Sequence, residues 1–534
     1  MHRRFLRRGI LGGAAADASG NYHTTDSRLS PLAFVNCQRP APPSAGRGRR
    51  FSGAPADGTM SPMAIRTKIV ATLGPACEEA EAIRQLALAG ADVFRINFSH
   101  GNESQRQGLL ANIRSVEDEL DRPLAVMADL CGPKIRVREI AGGSVLLGEG
   151  HQITIERQHV VGDARRFSTT LEELTKTVAP GEAMLLDDGK ISLEVVEVRP
   201  PDEVVCRVVR GGMLASGKGV NLPDTRLEVP AMTEKDRRDA AWIARGDFDY
   251  VAISFVRTAD DIAVLRETLG AADCGAHVIA KIEKPQAIAN IESIVAASDG
   301  VMVARGDLGV EMDLPSVPVA QKRIAGLCQA SGKPCIIATQ MLESMTSCRT
   351  PTRAEVSDVA NAVLDHADAV MLSGETAVGQ FPAAAVKMMD RIVAEIQGYD
   401  DQTTASAPAP PVRAGTAGAL AAGVREIMAT QAIAAIATFT VTGTTARMFS
   451  KQRPACPILG ISPDLGAVRR MCLYYGVVSV RASAPQHTRD VLGLASEFAI
   501  EQGAARVGDK IIVVSGRSLN TPGGTSTLVV HTVE

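Results

Sequence analysis

The chain has 534 residues, enough for roughly two to four domains, and its 45% hydrophobic and 22% charged residues are typical of a globular enzyme. A formal net charge of −3 argues against general nucleic-acid binding, and the lack of an apolar run of about 18 residues argues against a membrane span. The 10 cysteines are scattered without a CxxC pair, which is typical of free thiols in the reducing cytoplasm.

Residues 1–62 differ in composition from the rest of the chain, with 9 Arg, no Lys, no Glu and much Gly, Ala, Pro and Ser. An Arg-rich targeting leader would have this composition. The alternative, which we favour, is an unstructured extension or a start codon assigned too early, with Met60 or Met63 as the true start. Regular structure is therefore expected from near Ile65 onward.

Eight apolar runs alternate with helix-like segments such as 78–90 and 260–272, and this alternation predicts a parallel sheet covered by helices on its outer face. The eight predicted strands are 67–73, 92–99, 124–130, 250–256, 277–283, 300–307, 335–341 and 369–375. Eight such units favour an α/β fold with a closed (β/α)₈ TIM barrel over the alternative, an open doubly wound sheet.

The connection between the third and fourth predicted strands is far longer than a barrel loop. Residues 138–227 alternate apolar and polar positions between turn residues, which predicts an inserted small β-barrel domain that acts as a lid. Without this insert the barrel covers 66–137 and 228–395, close to the length of about 250 residues typical of the fold. A Pro/Ala-rich linker is predicted at 398–415, followed by a C-terminal α/β domain at 416–534.

Polar side chains end several of the predicted barrel strands, where the reacting groups of barrel enzymes lie. They are Arg95, Asn97 and Ser99, with His100 in the following loop, then Lys281, Glu283, Asp307, Thr339, Ser373 and Glu375. Any one of the charged residues could form a salt bridge within the barrel, but five such strand ends together favour a functional site. The mixture of carboxylates, cations and hydroxyls suits an anionic substrate with Mg²⁺, and no His/Cys cluster indicates zinc.

A series of motifs closely resembles the pyruvate kinase family, in the family's order over about 66–395 and more weakly to the end of the chain. The motifs are TKIVATLGPA, FRINFSHG, GPKIR, KGVNLPD, MTEKD, AKIEKPQAI, VARGDLGVE, ATQMLESM, RAEVSDVANAVLD and MLSGETAVGQFP. The resemblance implies a catalytic barrel, a lid and a C-terminal domain that often carries regulation. It also implies a glycolytic, Mg²⁺-dependent transfer of phosphoryl from phosphoenolpyruvate to ADP, and by analogy a cytoplasmic homotetramer.

Two other functions compete with this interpretation. A different barrel enzyme acting on phosphoenolpyruvate, such as a lyase, would need no nucleotide lid, so the insert with its KGVNLPD motif argues against it. A catalytically inactive metabolite sensor would have lost Lys281, Glu283 or Asp307, and all three are present.

The resemblance assigns roles to the strand-end residues one by one. The substrate-binding residues are Arg95, Lys281, Gly306, Asp307 and Thr339, and the Mg²⁺ ligands are Glu283 and Asp307. Lys281 and Arg95 would contact the transferring phosphoryl group, and Gly306 and Thr339 would hold the substrate carboxylate. The donor of the proton to the enolate stays open between Thr339, Ser373 and a chain of water molecules.

The resemblance also implies a nucleotide site and a monovalent-cation site. The nucleotide-side residues are Asn97, His100, Arg136 and Lys218, and the cation ligands are Asn97, Ser99, Asp129 and the carbonyl of Leu130. K⁺-requiring relatives usually have a glutamate where this chain has Lys134. An ammonium there can offset Asp129 in or near the K⁺ position, so we expect K⁺ to be dispensable. The alternative is a solvated Lys134 that merely pairs with Asp129.

A Thr-rich segment in the C-terminal domain matches the family's effector-phosphate loop in position. Its candidate phosphate ligands are Thr440, Thr442, Gly443, Thr444 and Thr445, and residues 515–527 resemble the second loop of that site. We expect a sugar-phosphate effector. The alternative is an ordinary Thr-rich turn after a strand.

Overall fold

A computed structural model of the chain describes residues 66–225, 230–403, 415–483, 490–516 and 523–534. The predicted N-terminal extension, 1–62, lies outside the described residues. No helix within the described ranges is long and apolar enough to cross a bilayer.

The first part of the barrel consists of three parallel strands and two helices. They are β1 (Lys68–Leu73), α1 (Ala80–Leu88), β2 (Val93–Asn97), α2 (Glu103–Leu120) and β3 (Ala125–Asp129). Helix α2 begins at a capping box, in which the Asn102 side chain accepts from the backbone N–H of Gln105 and the Gln105 side chain accepts from that of Asn102. This start turns the chain back along the outside of the strands.

An insert made mainly of β-strands, with one short α-helix, follows β3. Its elements are β4 (Ser144–Leu147), β5 (Gln152–Glu156), β6 (Arg166–Ser168), α3 (Leu174–Thr177), β7 (Ala183–Leu186), β8 (Ile191–Arg199), β9 (Glu203–Arg210), β10 (Gly212–Ala215) and β11 (Val220–Asn221). This insert, predicted as a β-barrel lid and called the lid below, consists of a six-stranded sheet in the order β11-β7-β8-β9-β5-β6 and a two-stranded sheet, β10-β4. Both sheets contribute to one apolar core, which includes Leu147, Phe167, Leu193 and Leu214.

The barrel resumes after the insert and closes on its first strand. Its remaining elements are α4 (Glu234–Ile243), β12 (Tyr250–Ile253), α5 (Ala259–Gly270), β13 (His277–Ile282), α6 (Pro285–Ala289), α7 (Ile291–Ala297), β14 (Gly300–Ala304), α8 (Arg305–Glu311), α9 (Val317–Ser331), β15 (Cys335–Ala338), α10 (Arg353–Leu364), β16 (Ala369–Leu372), α11 (Gly374–Ala377) and α12 (Pro382–Thr403). The strand order is β1-β16-β15-β14-β13-β12-β3-β2, closed and parallel, as predicted.

Alternate residues of the barrel strands belong to different apolar cores, which is the period of a β-strand. In β1, Ile69 and Ala71 belong to the core shared with the surrounding helices, whereas Val70 belongs to a core that includes residues of the C-terminal domain. The predicted strands run a few residues too far at their C-terminal ends, because the chain there turns toward the site. Asp307, for example, was predicted to end a strand but lies in the first turn of α8.

The C-terminal domain is a five-stranded sheet with helices. Its elements are α13 (Gly415–Thr430), β17 (Ala435–Phe439), α14 (Thr444–Ser450), β18 (Ile458–Ser462), α15 (Leu465–Met471), β19 (Val477–Arg481), α16 (Asp490–Glu501), β20 (Lys510–Gly516) and β21 (Thr525–Thr532). The strand order is β19-β18-β17-β20-β21, and only β21 is antiparallel to its neighbour. Strand β21 was not predicted.

The predicted linker at 398–415 is wrong at its start. Helix α12 continues to Thr403, because the first proline that would break it comes only at Pro408. The segment 404–414 lies outside the described residues.

Candidate active site

A cluster of buried charges lies where β2, β3 and β13 reach the mouth of the barrel. The Nε of Arg95 donates to Oδ2 of Asp129 at 2.7 Å, and Nη1 of Arg95 donates to the Thr72 hydroxyl at 3.0 Å. The Nζ of Lys281 lies 3.1 Å from Oδ1 of Asp129 and 2.8 Å from Oε1 of Glu283. The structure therefore brings together Arg95 and Lys281, predicted from separate motifs, with Asp129 as their common partner.

Each charged group of this cluster stabilises the ionised form of its partner. Burial alone would lower the pKa of Lys281, but the carboxylates of Asp129 and Glu283 raise it above its usual value. Burial acts to raise the pKa of Asp129, yet Lys281 and Arg95 hold it below the usual value. Lys281 is therefore a permanent cation at neutral pH, which suits a group that binds a phosphoryl oxygen.

Glu283 and Asp307 lie close enough for their carboxylates to interact. Burial raises the pKa of Glu283, Lys281 opposes that rise, and the charge of Asp307 adds to it. The backbone N–H of Phe255 donates to Oε2 of Glu283 at 2.7 Å and fixes its orientation. Two neighbouring carboxylates fit Mg²⁺, which takes one or two protein carboxylates and leaves other positions to water and phosphate. No group of three or more His, Cys, Asp or Glu residues suited to a metal occurs among the described residues.

Thr339 and Gly306 meet at the ends of neighbouring strands, as expected for a shared carboxylate site. The backbone N–H of Gly306 donates to the Thr339 hydroxyl at 2.7 Å, and that hydroxyl donates to the Ala338 carbonyl at 2.7 Å. Thr339 has a φ of +67°, a conformation that costs a β-branched residue energy and often marks a functional position. A side chain at position 306 would come within 3.2 Å of the Thr339 hydroxyl, so the glycine preserves this close approach.

The two other polar residues predicted at β16 have different surroundings. Glu375 accepts from the backbone N–H groups of Leu342 at 3.0 Å and Ser373 at 2.7 Å, which makes it a support for the loop. The Ser373 hydroxyl is buried and has no hydrogen-bond partner in the structure. A buried hydroxyl of this kind is compatible with the proton-transfer role considered for Ser373.

The predicted cation ligands lie together at the ends of β2 and β3. The Asn97 side chain accepts from the backbone N–H of Ser99 at 3.0 Å, and the Leu130 carbonyl accepts from the Ser254 hydroxyl at 2.8 Å. The ion pair found for Lys134 differs from the expected one: its Nζ lies 3.9 Å from Oδ1 of Asp307. Asp129 instead pairs with Arg95 and Lys281.

The predicted nucleotide-side residues lie at the junction between barrel and lid. Arg136 donates from Nη1 to the Gly217 carbonyl at 2.8 Å, and Lys218 pairs with Asp187 at 2.8 Å. Partial burial lowers the pKa of His100, and the positive charges of Arg136, Arg95 and Lys134 lower it further. The junction is therefore positively charged, which suits an anionic nucleotide.

Several residues of the site were missed by sequence reasoning. Ser254 accepts from Nζ of Lys281 at 2.6 Å, and its only signal was its place near the end of the predicted strand 250–256. Lys284 and Glu311 form a buried pair next to the carboxylates. Lys284 stands in the AKIEKPQAI motif without an assigned role, and Glu311 ends VARGDLGVE.

The Thr-rich segment at 440–445 runs into the start of α14 in the C-terminal domain and contains several hydroxyl contacts. The backbone N–H of Gly443 donates to the Thr440 hydroxyl at 3.1 Å, and the hydroxyls of Thr442 and Thr444 lie 2.9 Å apart. The Thr445 hydroxyl lies 2.7 Å from that of Thr525, which brings the two predicted effector loops together. Residues 517–522 of the second loop lie outside the described residues.

Comparison with known proteins agrees with this fold. The family model "Pyruvate kinase, barrel domain" matches residues 64–386, and "Pyruvate kinase, alpha/beta domain" matches residues 418–531. A pyruvate kinase of Geobacillus stearothermophilus is 40% identical over 474 residues, which cover 88% of this chain and 81% of the relative. A pyruvate kinase of Methylorubrum extorquens is 41% identical over 465 residues, which cover 86% of this chain and 96% of the relative.

A solved structure gives the same result. The crystal structure of a pyruvate kinase from Cryptosporidium parvum superposes with a TM-score of 0.82 and 33% sequence identity, over 89% of this chain and 97% of the other. The chain therefore belongs to the pyruvate kinase family and is a phosphotransferase that forms pyruvate and ATP from phosphoenolpyruvate and ADP.

Proposed function

We propose that the cluster at the mouth of the barrel performs this phosphoryl transfer. Lys281 and Arg95 bind the transferring phosphoryl group, while Gly306 and Thr339 hold the substrate carboxylate. The observation that carries the proposal is the Lys281 ammonium, buried between the carboxylates of Asp129 and Glu283 with its charge retained. Phosphoryl transfer requires positioning and positive charge on the equatorial oxygens more than covalent help, and this cluster supplies both.

Glu283 and Asp307 are the proposed Mg²⁺ ligands. Mg²⁺ would supply further positive charge to the phosphoryl oxygens when bound. Asn97, His100, Arg136 and Lys218 form the proposed nucleotide side of the site. The lid, approximately 138–227, excludes water from the nucleotide and phosphoryl groups.

We further propose that K⁺ is dispensable for this enzyme. Asp129 is already paired with the two cations Arg95 and Lys281, and Lys134 brings a third positive charge to the same mouth. The positive charge that K⁺ would add is therefore provided by the chain. The cluster of Asn97, Ser99, Asp129 and Leu130 then acts as a polar support rather than as a set of metal ligands.

The variant Lys134→Glu tests the potassium proposal. It reverses a charge 3.9 Å from Asp307, so activity without K⁺ should fall and activity with K⁺ should recover at least in part. The rate of pyruvate formation is measured with and without K⁺ at saturating substrates. Lys176→Glu makes the same change of charge on α3 of the lid, where Lys176 pairs with Glu173, and should leave the K⁺ response unchanged. An unchanged K⁺ response of Lys134→Glu would refute the role of Lys134.

Regulation and assembly complete the proposal. The Thr-rich loop of the C-terminal domain, Thr440 with 442–445, binds the phosphate of a sugar-phosphate effector, and the enzyme is a cytoplasmic homotetramer. A shift of the phosphoenolpyruvate saturation curve by sugar monophosphates is the measurement for the first point, and light scattering in solution is the measurement for the second. A phosphoenolpyruvate saturation curve that no sugar monophosphate shifts would contradict the effector proposal. A mass in solution below that of four chains would contradict the homotetramer.

A further inference from the structure

The lid is joined to the barrel at a buried carboxylate without an assigned role. Glu311 ends helix α8, and its side chain is 1% exposed. Its Oε1 accepts from Nδ2 of Asn221 at 2.7 Å and from Nζ of Lys284 at 2.6 Å. Asn221 belongs to β11, the last strand of the lid, whereas Lys284 lies between β13 and α6 of the barrel and Glu311 in its helix α8. One carboxylate oxygen therefore connects the lid with two barrel elements.

Both barrel elements carry residues of the phosphoryl site. Helix α8 contains Gly306 and Asp307 in its first turn, four or more residues before Glu311. Lys284 directly follows Glu283, and its Nζ lies 5.9 Å from the ring centroid of Phe255, whose backbone N–H holds Glu283. A displacement of Glu311 would therefore be felt at both proposed Mg²⁺ ligands.

The segment that leads from β3 into the lid contacts Phe255, which also lies near Lys284. Gly132 has a φ of +68°, and a Cβ at this position would lie 2.7 Å from the Phe255 ring. The chain passes this glycine on its way into the lid and returns from the lid through Asn221. Phe255 thus contacts the segment that enters the lid, and Glu311 contacts the segment that leaves it.

We propose that Glu311 is a positioning residue that makes the arrangement of the metal carboxylates depend on closure of the lid. When the lid is closed, the Asn221 amide contacts Glu311 and fixes α8 and Lys284 in the arrangement seen here. When the lid opens, Glu311 keeps Lys284 but loses the amide. The inference rests on the proposed roles of Glu283, Asp307 and the lid.

The contact with Asn221 can be removed without leaving a buried charge unpaired. In Asn221→Ala, Glu311 still pairs with Lys284, so the fold should be retained. The closed state loses a hydrogen bond to a charged group, and kcat should fall about tenfold while KM for ADP rises. KM for phosphoenolpyruvate should rise less than KM for ADP, because its proposed ligands Arg95, Lys281 and Thr339 lie on barrel elements other than α8.

The most specific test exchanges the amide of Asn221 and the carboxylate of Glu311 and measures kcat. Asn221→Asp is nearly isosteric, but it places a second carboxylate against Glu311 and should lower kcat more than Asn221→Ala does. The double variant Asn221→Asp with Glu311→Gln restores a carboxylate and an amide in contact, and the new Asp can pair with Lys284. We expect it to recover most of the kcat lost by Asn221→Asp, an effect that damage to the fold would not produce.

The experiment measures kcat, both KM values and the melting temperature for these variants, with Asn112→Ala as the matched control. Asn112 lies on α2, where its amide donates to the Glu78 carbonyl away from the lid. Wild-type kinetics for Asn221→Ala, a rise in KM for phosphoenolpyruvate equal to that in KM for ADP, or a double variant no faster than Asn221→Asp would overturn the proposal. If Glu283→Gln also kept the wild-type requirement for Mg²⁺, the fault would lie with the proposed metal ligands instead.

Discussion

Lys281 combines two properties that a phosphoryl-binding residue needs at once. It is buried, so its charge acts in a medium of low dielectric constant, and it is paired, so that charge is not lost. The Ser254 hydroxyl, at 2.6 Å from Nζ, further fixes the ammonium. In its proposed role, Lys281 would offer the substrate phosphoryl group a cation that is already charged and held in place.

The variant Lys281→Met tests this arrangement. It keeps a side chain of similar length and removes the charge, so kcat should fall at least about a hundredfold, the typical loss for a removed transition-state contact. Lys333→Met serves as control, because Lys333 is a partly buried lysine whose Nζ donates to the Ser298 carbonyl away from the active-site cluster. Steady-state rates of pyruvate formation decide the point, and near-normal kcat for Lys281→Met would exclude its proposed role.

At the scale of single residues, sequence reasoning found members of the cluster that stand in a distinctive motif and missed those that only a contact reveals. Lys281, Glu283 and Asp307 were predicted because charge at the end of an apolar strand is costly unless used. The ion pair between Lys134 and Asp307 was not predicted, because the two residues are far apart in sequence and come together only in the folded barrel. Glu311 was missed because nothing in its motif indicates that Asn221 of the lid lies against it.

Among the elements, helix α12 packs against the turn between α1 and β2 with a carboxylate at the contact. Gly90 has a φ of +119°, and a Cβ there would lie 3.0 Å from Oδ1 of Asp390. Burial raises the pKa of Asp390 to about 6, and the neighbouring charge of Asp92 contributes to that rise, while Arg122 opposes it. The helix therefore contains a carboxylate that is costly to ionise in the folded protein.

Asp390 should make the fold less stable as the pH rises through this range. The pKa of Asp390 is about 6 in the folded protein and 3.8 in the unfolded chain. The contribution of this group to the free energy of unfolding is therefore fully present below about pH 4 and is lost as the pH rises toward 6 and above. Asp390→Asn should therefore raise the melting temperature relative to wild type more at pH 7 than at pH 5. Asp118→Asn, at an exposed position of α2, is the control. An equal effect of Asp390→Asn at both pH values would contradict the prediction.

The order of barrel elements was predictable because alternating apolar and amphipathic segments leave few arrangements. All eight strands and both helices at 78–90 and 260–272 were predicted in the right places. Strand β21 was missed, since its TSTLVVHT sequence pairs only along the edge of a sheet and carries no strong apolar run. Its antiparallel direction follows from a short connection to β20, which leaves no room for a crossover helix.

In the whole molecule, the C-terminal domain is fastened to the barrel at a buried ion pair. Lys451 follows α14, Asp368 precedes β16, and both side chains are 1% exposed. Oδ2 of Asp368 also accepts from the backbone N–H of Cys335, the first residue of β15, at 2.7 Å. The helix that follows the Thr-rich loop is thus connected to the starts of the two strands whose far ends carry Thr339 and Ser373.

Removal of Lys451 should strongly destabilise this contact. Lys451→Met leaves Asp368 without its main partner in the interior, although Arg453 lies 3.6 Å from its other oxygen, and such a change costs about 3–5 kcal/mol. The melting temperature should fall well below that of Lys510→Met, a control at an exposed lysine of the same domain whose Nζ donates to Gln431 at 3.0 Å. Equal melting temperatures for the two variants would show that the pair contributes nothing to the assembly of the domains.

The most direct test of phosphoryl transfer without potassium is the rate of pyruvate formation by the wild-type chain. Phosphoenolpyruvate, ADP and Mg²⁺ are supplied in a buffer free of monovalent metal cations, and K⁺ is then titrated in. We predict full activity without K⁺ and no rise on its addition, because Lys134, Arg95 and Lys281 already provide the positive charge at the mouth of the barrel. A rate that is negligible without K⁺ and restored by its addition would contradict the proposal.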